Sequence, residues 1–347
     1  MNEFGIFIGR CQPFHNAHEA SVRFALSRVK TLVIVLGSAC QARTVKNPWT
    51  SVEREAMILS CLTEEERQRI QFVHAKDYLY NDNLWLTALQ EKINAIIEDS
   101  KDVALIGHKK DKSSFYLGLF PQWEFLETGD LTPGTSSNLD ATRVRDHYFK
   151  CDLTTIEQLV PATVFTMLKN TMMNNGVQMN PEFKRLKDEY DHVEEYKEMW
   201  SESPFPPTFV TVDAIVIKSG HVLVVRRKGQ PGKGLIALPG GFVNQAERID
   251  DAVLRELKEE TRIKMSKQDI AAGLIDQKVF DHPSRSLRGR TITHSYCFNL
   301  GHGELPRVKG DDDAEKAWWM PLRDVFTREE DFFEDHFHII SYFVNRF

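Results

Sequence analysis

The sequence predicts an α/β fold in two domains, the first of them a doubly wound, Rossmann-like domain built on a parallel sheet. Apolar strands alternate with amphipathic helices through the first half of the chain, which is the pattern of βαβ units. A stretch with three prolines, residues 201–207, interrupts this pattern. At 347 residues, the chain is long enough to build a core on each side of that stretch.

Net charge and cysteine content narrow the function classes. The chain carries 50 acidic and 44 basic side chains, so neither nucleic acid nor an anionic membrane is expected as its main partner. No long apolar run is present, and no basic segment precedes one near Met1, so we expect a cytoplasmic protein without signal peptide or membrane span. Five cysteines without a Cys-x-x-Cys pair argue against a disulfide framework and a structural zinc.

Apolar periodicity divides the first half into strands and helices. Strands are predicted over residues 4–8, 31–37, 71–74 and 103–107, with a helix running to Val29 and others over 51–61 and 84–97. In such sheets, ligands bind outside the carboxyl ends of the strands. The loop over residues 9–18, which follows the first strand, is therefore a candidate site.

Two histidines stand at the start of the first helix. His15 and His18 are three residues apart, so both rings can face one pocket, and Arg10 precedes them. Backbone N–H groups and the helix dipole favour negative charge at a helix N-terminus, so this loop could hold a triphosphate. A structural or solvated histidine pair explains the same residues.

Residues 134–145 form a second candidate phosphate segment. They place hydroxyl side chains and two arginines ahead of a helix that runs toward Tyr148. A capped helix start is the alternative interpretation.

The chain changes character after the first domain. Residues 155–168 favour short helices broken at Pro161, and residues 181–200 favour a charged amphipathic helix. We therefore predict a first domain over residues 1–175, a helical and proline-containing linker over 176–207, and a second domain over 208–347.

The second domain is predicted to open with a β-hairpin. Residues 209–217 and 221–226 are apolar or alternating and flank a turn at 218–220. Further strands are predicted over 276–280 and 291–300. Trp318, Trp319 and a final helix over 331–344 are expected behind the sheet.

One helix of this domain carries clustered acids. An apolar stripe predicts the helix, and Glu256, Glu259 and Glu260 fall on neighbouring turns of another surface. Such carboxylates suit hard cations such as Mg²⁺ or Mn²⁺, and the loop over residues 238–242 could add backbone carbonyls. A solvated acidic face is the alternative.

The segment resembles the Nudix box, Gly-x5-Glu-x7-Arg-Glu-U-x-Glu-Glu-x-Gly-U, with U aliphatic. The matching residues are Gly241, Glu247, Arg255, Glu256, Leu257, Glu259, Glu260 and Ile263. Arg262 departs from the pattern, because it occupies the place of the second glycine. The resemblance implies an α/β/α sandwich.

The Nudix resemblance also implies a divalent-metal site and a hydrolase. Its ligands would be Glu256, Glu259, Glu260 and the Gly241 carbonyl, with Glu247 and Arg255 paired to steady the loop, and with Glu259 counted as catalytic. A metal-activated water would attack phosphorus. Asp313 is the candidate for a further catalytic acid, and an exposed acidic loop is the alternative.

Residues 211–214 resemble a subfamily acting on ADP-ribose, so AMP and ribose 5-phosphate are the expected products. NADH or a dinucleoside polyphosphate is the alternative substrate. A domain that only binds ADP-ribose as a regulator is the alternative from another class.

The first domain resembles the archaeal-type nicotinamide-mononucleotide (NMN) adenylyltransferases of the His-x-Gly-His nucleotidyltransferase superfamily. The opening motif falls on Gly9, Arg10, Gln12, His15 and His18, with Ala17 in place of the glycine. A second signature, Ser-x-Thr-x-x-Arg, falls on Asp140, Thr142 and Arg145, with Asp140 in place of serine. Lys46 matches a basic position that meets phosphate, and Trp85 matches an aromatic that stacks on nicotinamide; a core tryptophan is the alternative for Trp85.

The implied reaction joins ATP and NMN into NAD and pyrophosphate, with Mg²⁺ or Mn²⁺ required in both domains. His15, His18, Arg10, Lys46 and Arg145 would form an electrostatic clamp around the phosphates. A transferase using CTP or another phosphate acceptor is the rival enzyme. The expected partners are therefore small molecules: ATP, NMN, NAD and ADP-ribose. A homo-oligomer is compatible with the sequence.

Overall fold

Two large sheets organise the chain, one in each of the two units that its contacts define, Met1–Lys187 and Asp188–Phe347. The computed structural model describes residues 1–108, 117–129, 139–174 and 178–344. Residues 134–138 of the second predicted phosphate segment lie outside the described residues. Among the described residues, no helix is both long and apolar enough to cross a membrane.

The first unit contains a parallel sheet of five strands in the order β3-β2-β1-β4-β5. Its elements are β1 (Asn2–Gly9), α1 (Asn16–Leu26), β2 (Val29–Leu36), α2 (Ser51–Ser60), α3 (Glu64–Arg67), β3 (Ile70–His74), α4 (Asp82–Ile97), β4 (Val103–Gly107) and β5 (Glu124–Glu127). The chain starts at the central strand and builds outward to both edges, so the doubly wound prediction is confirmed.

The central strands are buried on both faces, which is why their sequences are almost continuously apolar. Ile6, Val33 and Leu105, on three adjacent strands, belong to one core cluster. The edge strand β5 was not predicted. Its sequence is Glu-Phe-Leu-Glu, and its short, half-buried apolar pair gives a weak periodic signal.

Helices complete the first unit. They are α5 (Ala141–Phe149), α6 (Leu153–Leu159), α7 (Ala162–Met172) and the first part of α8 (Pro181–Glu198), which continues past Lys187 into the second unit. The two-residue strands β6 (Met173–Asn174) and β7 (Gln178–Met179) precede α8. Pro161 precedes α7, at the predicted helix break. Phe183 of α8 contacts Tyr148 and Phe149, which is why the division of the chain lies beyond residue 175.

The second unit contains a mixed sheet of seven strands. Its elements are β8 (Thr208–Lys218), β9 (His221–Arg227), β10 (Ile236–Ala237), β11 (Gly240–Phe242), α9 (Ile249–Thr261), α10 (Lys267–Ala272), β12 (Leu274–Phe280), β13 (Arg290–Asn299), β14 (Ala314–Pro321), α11 (Leu322–Val325) and α12 (His336–Val344). The main path runs β10-β9-β8-β13-β12, while β11 pairs with β8 and β14 with β9. The predicted hairpin is β8 and β9, joined at residues 218–221.

Two expectations for this unit were wrong. Trp318 and Trp319 lie in strand β14 of the sheet, paired with Val224 and Leu223 of β9, and not behind it. The last helix begins at His336 rather than at 331, because residues 329–331 form a 3₁₀ turn and Glu334 adopts a left-handed conformation with φ 45°.

Candidate active sites

The histidine pair lies where the central strand β1 meets helix α1. His15 directly precedes α1, and His18 lies in its first turn. The rings of His15 and His18 stack with their centroids 3.7 Å apart. The Phe14 ring also stacks on His18, with a centroid distance of 5.8 Å. The structure therefore brings both histidines together at the carboxyl end of the parallel sheet.

Burial sets the protonation of His18. It lowers the pKa of the ring to about 4, and a hydrogen bond to the Pro13 backbone opposes part of this shift. At neutral pH, His18 is therefore a neutral imidazole that can donate one N–H.

Arg145 connects the second signature to the first loop. This buried guanidinium donates to the Gln12 carbonyl at 2.6 Å and to the Thr142 hydroxyl at 3.0 Å. Burial and the nearby Arg10 lower the pKa of Arg145 to about 10. Two neighbouring positive charges suit a polyphosphate.

Asp140, which replaces the serine of that signature, caps a helix. Its carboxylate accepts from the Arg143 N–H at 2.8 Å at the start of α5. Gln12 lies in the loop between β1 and α1. Its side chain holds this loop to Trp49, because it donates to the Trp49 carbonyl and accepts from the Trp49 N–H. The Gly9 carbonyl accepts from Gly37 N–H at the end of β2.

Sequence reasoning missed the buried Arg54 of α2. Its guanidinium is completely inaccessible to solvent and donates to the carbonyls of Arg10, Gly37, Ser38 and Thr50. It ties the loop after β1 to the loop after β2. The available signal was its spacing, since Arg54 falls on the buried face of α2 with Met57 and Ile58.

Lys46 and Trp85 lie in different surroundings. Lys46 is half-buried in the loop between β2 and α2, next to the buried Asn47. Trp85 packs against the core of the first unit and lines a cavity of about 30 Å³ with Lys76 and Tyr78. That volume holds about one water molecule, so the core contact of Trp85 is observed and its stacking role stays a prediction.

In the second unit, Arg255 organises the acids of α9. It donates to both oxygens of Glu247, at 2.8 and 2.9 Å, and to the Phe242 carbonyl. The same guanidinium donates to Glu256 at 2.7 Å and to Glu259 at 2.9 Å. The loop before the helix is thereby fixed to it, as the Nudix resemblance implies.

Glu260 is the most buried of the three acids. It is 6% exposed and accepts from the Gly240 N–H at 3.1 Å. Burial raises its pKa to about 8, and the neighbouring Glu256 and Asp313 add to the rise, while Gly240 and Arg227 oppose it. Burial also raises the pKa of Glu256, which faces Glu259 and Asp312. Asp313 is exposed and acts electrostatically on Glu260.

The residues fit a divalent cation. Across the described parts of the chain, no three acidic, histidine or cysteine side chains are gathered closely enough to hold a metal. Arg255 pairs with two of the acids, Glu256 and Glu259. The donors nevertheless are the oxygens that hard cations take, and a cation would stabilise the buried negative charge. A Cβ on Gly241 would lie 2.6 Å from the Glu256 carboxylate, so only glycine lets the backbone come this close.

Arg262, the departure from the box, takes over the conformation of the missing glycine. It ends α9 in the left-handed region with φ 48°. Its side chain forms an ion pair with Asp311, whose N–H donates to the Glu260 carbonyl at 3.1 Å. The helix therefore ends in a left-handed cap without a glycine, and its end is tied to the loop that carries Asp313.

Family models match both halves of the chain. A cytidylyltransferase-like model matches residues 6–113 and a NUDIX domain model matches residues 207–343.

Individual proteins are similar in sequence to one half of the chain each. The chain is 38% identical over 188 residues to the nicotinamide/nicotinic acid mononucleotide adenylyltransferase of Acinetobacter baylyi, covering 54% of this chain and 93% of that protein. It is 36% identical over 116 residues to the ADP-ribose pyrophosphatase of Methanocaldococcus jannaschii, covering 33% of this chain and 63% of that protein.

Two solved structures of one protein match essentially the whole chain. The first is a bifunctional NMN adenylyltransferase/ADP ribose pyrophosphatase from Francisella tularensis in complex with AMP and a manganese ion. The TM-score is 0.88 at 32% identity, covering 100% of this chain and 99% of that one. The chain therefore belongs to the family of bifunctional NMN adenylyltransferase/ADP-ribose pyrophosphatases.

Proposed function

We propose that the chain is an enzyme with two activities in NAD metabolism. The first unit transfers the adenylyl group of ATP to NMN, giving NAD and pyrophosphate, and the second hydrolyses ADP-ribose to AMP and ribose 5-phosphate. The observation that carries the proposal is the presence, in one chain, of a stacked histidine pair at the end of a parallel sheet and of buried carboxylates on the Nudix helix.

Adenylyl transfer needs no protein nucleophile. A 5′-phosphate oxygen of NMN attacks the α-phosphorus of ATP, the bond to the β-phosphate breaks, and pyrophosphate leaves. Charge develops on the oxygens around the α-phosphorus, so catalysis consists of positioning and electrostatic stabilisation. The proposed donors are His15, His18, Lys46 and Arg145.

The neutral His18 ring supports this role. An uncharged N–H donor adds a hydrogen bond without a counter-ion of its own, and a bound triphosphate would raise the pKa of the ring. Arg10 and Arg145 supply the fixed positive charge. Gly9, Gln12, Asp140 and Thr142 shape the substrate loops, and Trp85 is proposed to stack on nicotinamide.

In the second unit, Glu256, Glu259, Glu260 and the Gly241 carbonyl would hold a divalent cation, Mg²⁺ or Mn²⁺. Such a cation supplies positive charge that stabilises the diphosphate as water attacks it. Asp313 is proposed to accept the proton of the attacking water, and its electrostatic effect on Glu260 supports this role. Arg255 keeps Glu256 and Glu259 oriented. The nucleotidyl transfer is proposed to need the same metals with ATP.

The purified full chain tests both proposals in one substrate panel. ATP with NMN should give NAD, and ADP-ribose with Mn²⁺ should give AMP and ribose 5-phosphate, separated by product chromatography. CTP, NADH and a diadenosine polyphosphate serve as competing substrates. Faster turnover of any of these would replace the corresponding proposed substrate, and no hydrolysis at all would favour a regulatory module that binds ADP-ribose.

A further inference from the structure

A segment near the end of the chain contacts the strand that leads into the proposed metal site. We call residues 332–336 the C-terminal strap. Phe332 of the strap forms a parallel bridge with Ile236 of β10, and the Phe333 N–H donates to the Ile236 carbonyl at 2.8 Å. The Phe333 ring also covers Gly232 so closely that a Cβ added there would overlap the ring. The strap therefore packs along the chain just ahead of the proposed metal site.

His336 extends this contact to the loop over residues 238–242. Its Nδ1 accepts from the Leu238 N–H at 2.9 Å, and both residues are buried. A buried N–H that loses its acceptor cannot turn to water instead, so this hydrogen bond constrains the backbone at Leu238. Leu238 lies three residues before Gly241, whose carbonyl is a proposed metal ligand. A side chain from the end of the chain thus acts on the backbone of this loop.

The next positions of the loop are held by other elements. The Pro239 carbonyl accepts from a backbone N–H of β8 at 2.8 Å. The Gly240 N–H donates to Glu260 of α9 at 3.1 Å. His336 supplies the corresponding restraint at Leu238, so the backbone is held at three successive residues ahead of the proposed carbonyl ligand.

The protonation state of His336 fits its role as an acceptor. Burial lowers the pKa of the ring, and Asp213 and Asp335 oppose part of this shift. Arg285 and Arg227 add to it. At neutral pH the ring is therefore uncharged, with Nδ1 free of a proton and able to accept from a backbone N–H.

We infer that His336 is a positioning residue of the hydrolase: through the Leu238 N–H, it holds the backbone that presents the Gly241 carbonyl to the divalent cation. The inference rests on the proposed metal-dependent hydrolysis. Hydrogen-bonding groups outside the direct ligands of a metal typically change its affinity or the activity by about 10–100-fold when they are removed. The C-terminal strap, which lies outside the Nudix box, would then belong to the functional site.

Three substitutions separate the acceptor of His336 from the bulk of its side chain. His336→Leu keeps a buried apolar side chain but removes the acceptor. His336→Asn returns an oxygen at the position of Nδ1, one bond from Cγ, whereas His336→Gln places its oxygen one bond further out. His338→Leu is the matched control, since His338 is half-buried on the same helix and points about 200° away from His336.

Titration of the full chain with Mn²⁺ in the absence of nucleotide measures metal affinity directly, with free Mn²⁺ followed by electron paramagnetic resonance. We expect the Kd of Mn²⁺ to rise about tenfold or more in His336→Leu and His336→Gln. It should stay within about threefold of the wild-type value in His336→Asn and His338→Leu. At saturating Mn²⁺, kcat for ADP-ribose should follow the same order while KM changes little, because the displaced group is a proposed metal ligand.

An unchanged Kd of Mn²⁺ in His336→Leu, or an equal rise in His336→Asn and His336→Gln, would overturn the positioning role. If His336→Leu does not fold, the comparison of His336→Asn with His336→Gln decides. A wild-type chain that binds Mn²⁺ without hydrolysing ADP-ribose would overturn the proposed hydrolysis, and the Kd values would still decide the role of His336. A wild-type chain that binds no Mn²⁺ would overturn the proposed metal site and this role together.

Discussion

Replacing Asp335 by Asn is expected to destabilise the second unit by about 3–5 kcal/mol, the usual effect of breaking a buried ion pair. Arg285 donates to both oxygens of Asp335, each at 2.9 Å, and the two side chains are 3% and 0% exposed. Arg285 cannot lose its proton, so the variant leaves a buried cation. Asp213, at 3.9 Å, offsets part of that charge.

A double variant separates the ion pair from simple packing. Arg285→Met with Asp335→Leu removes both charges and keeps apolar volume, which in buried pairs is often neutral or stabilising. Asp213 keeps its hydrogen bond from the Thr293 hydroxyl at 2.6 Å in that variant. We therefore expect the double variant to be more stable than Asp335→Asn alone.

Scanning calorimetry of the full chain measures both effects. At about 2–4 °C per kcal/mol for a unit of this size, the transition of the second unit should fall by about 6–20 °C in Asp335→Asn. NAD synthesis, which belongs to the first unit, serves as the control for correct folding. An unchanged midpoint in the single variant, or a double variant less stable than the single one, would show that the buried ion pair does not have this effect on stability.

Three further predictions follow from single contacts. Arg54→Met should lower the urea midpoint of the first unit and its rate of NAD synthesis, with partial recovery in Arg54→Lys, because four backbone carbonyls lose their donor. For His18, whose pKa falls from 6.5 to about 4 on folding, the unfolded chain binds the extra proton between those values, so stability should decrease as pH falls through that window and decrease less in His18→Gln. Gly241→Ala should lower Mn²⁺-dependent hydrolysis at least tenfold by displacing Glu256, and unchanged kinetics would contradict the close approach.

Much of the fold could be predicted because its signals are local. Apolar runs and periodic stripes located β1 to β4 of the first unit and the β8–β9 hairpin of the second. The exceptions have little local signal. Strand β5 is short and half-buried, and Trp318 and Trp319 belong to a strand whose partner lies almost a hundred residues earlier in the chain.

The residues of the candidate sites that belong to sequence motifs could be predicted. His15, His18 and the acids of α9 stand at spacings that motifs define, and the structure brings each set together. Arg54 was not predicted, because periodicity indicates which face of a helix is buried but not which carbonyls of other elements accept hydrogen bonds from a guanidinium. For the same reason, the ion pair of Arg262 with Asp311 could not be predicted from periodicity.

Two activities assayed on two variants test most directly whether the chain contains two independent sites. Glu260→Gln removes a proposed metal ligand but keeps an oxygen to accept from Gly240, and His18→Ala removes the N–H donor proposed for the phosphates. We expect a crossed result: hydrolysis falls by orders of magnitude only in Glu260→Gln, and NAD synthesis falls about 10²–10³-fold only in His18→Ala. Parallel loss of both activities in either folded variant would contradict it.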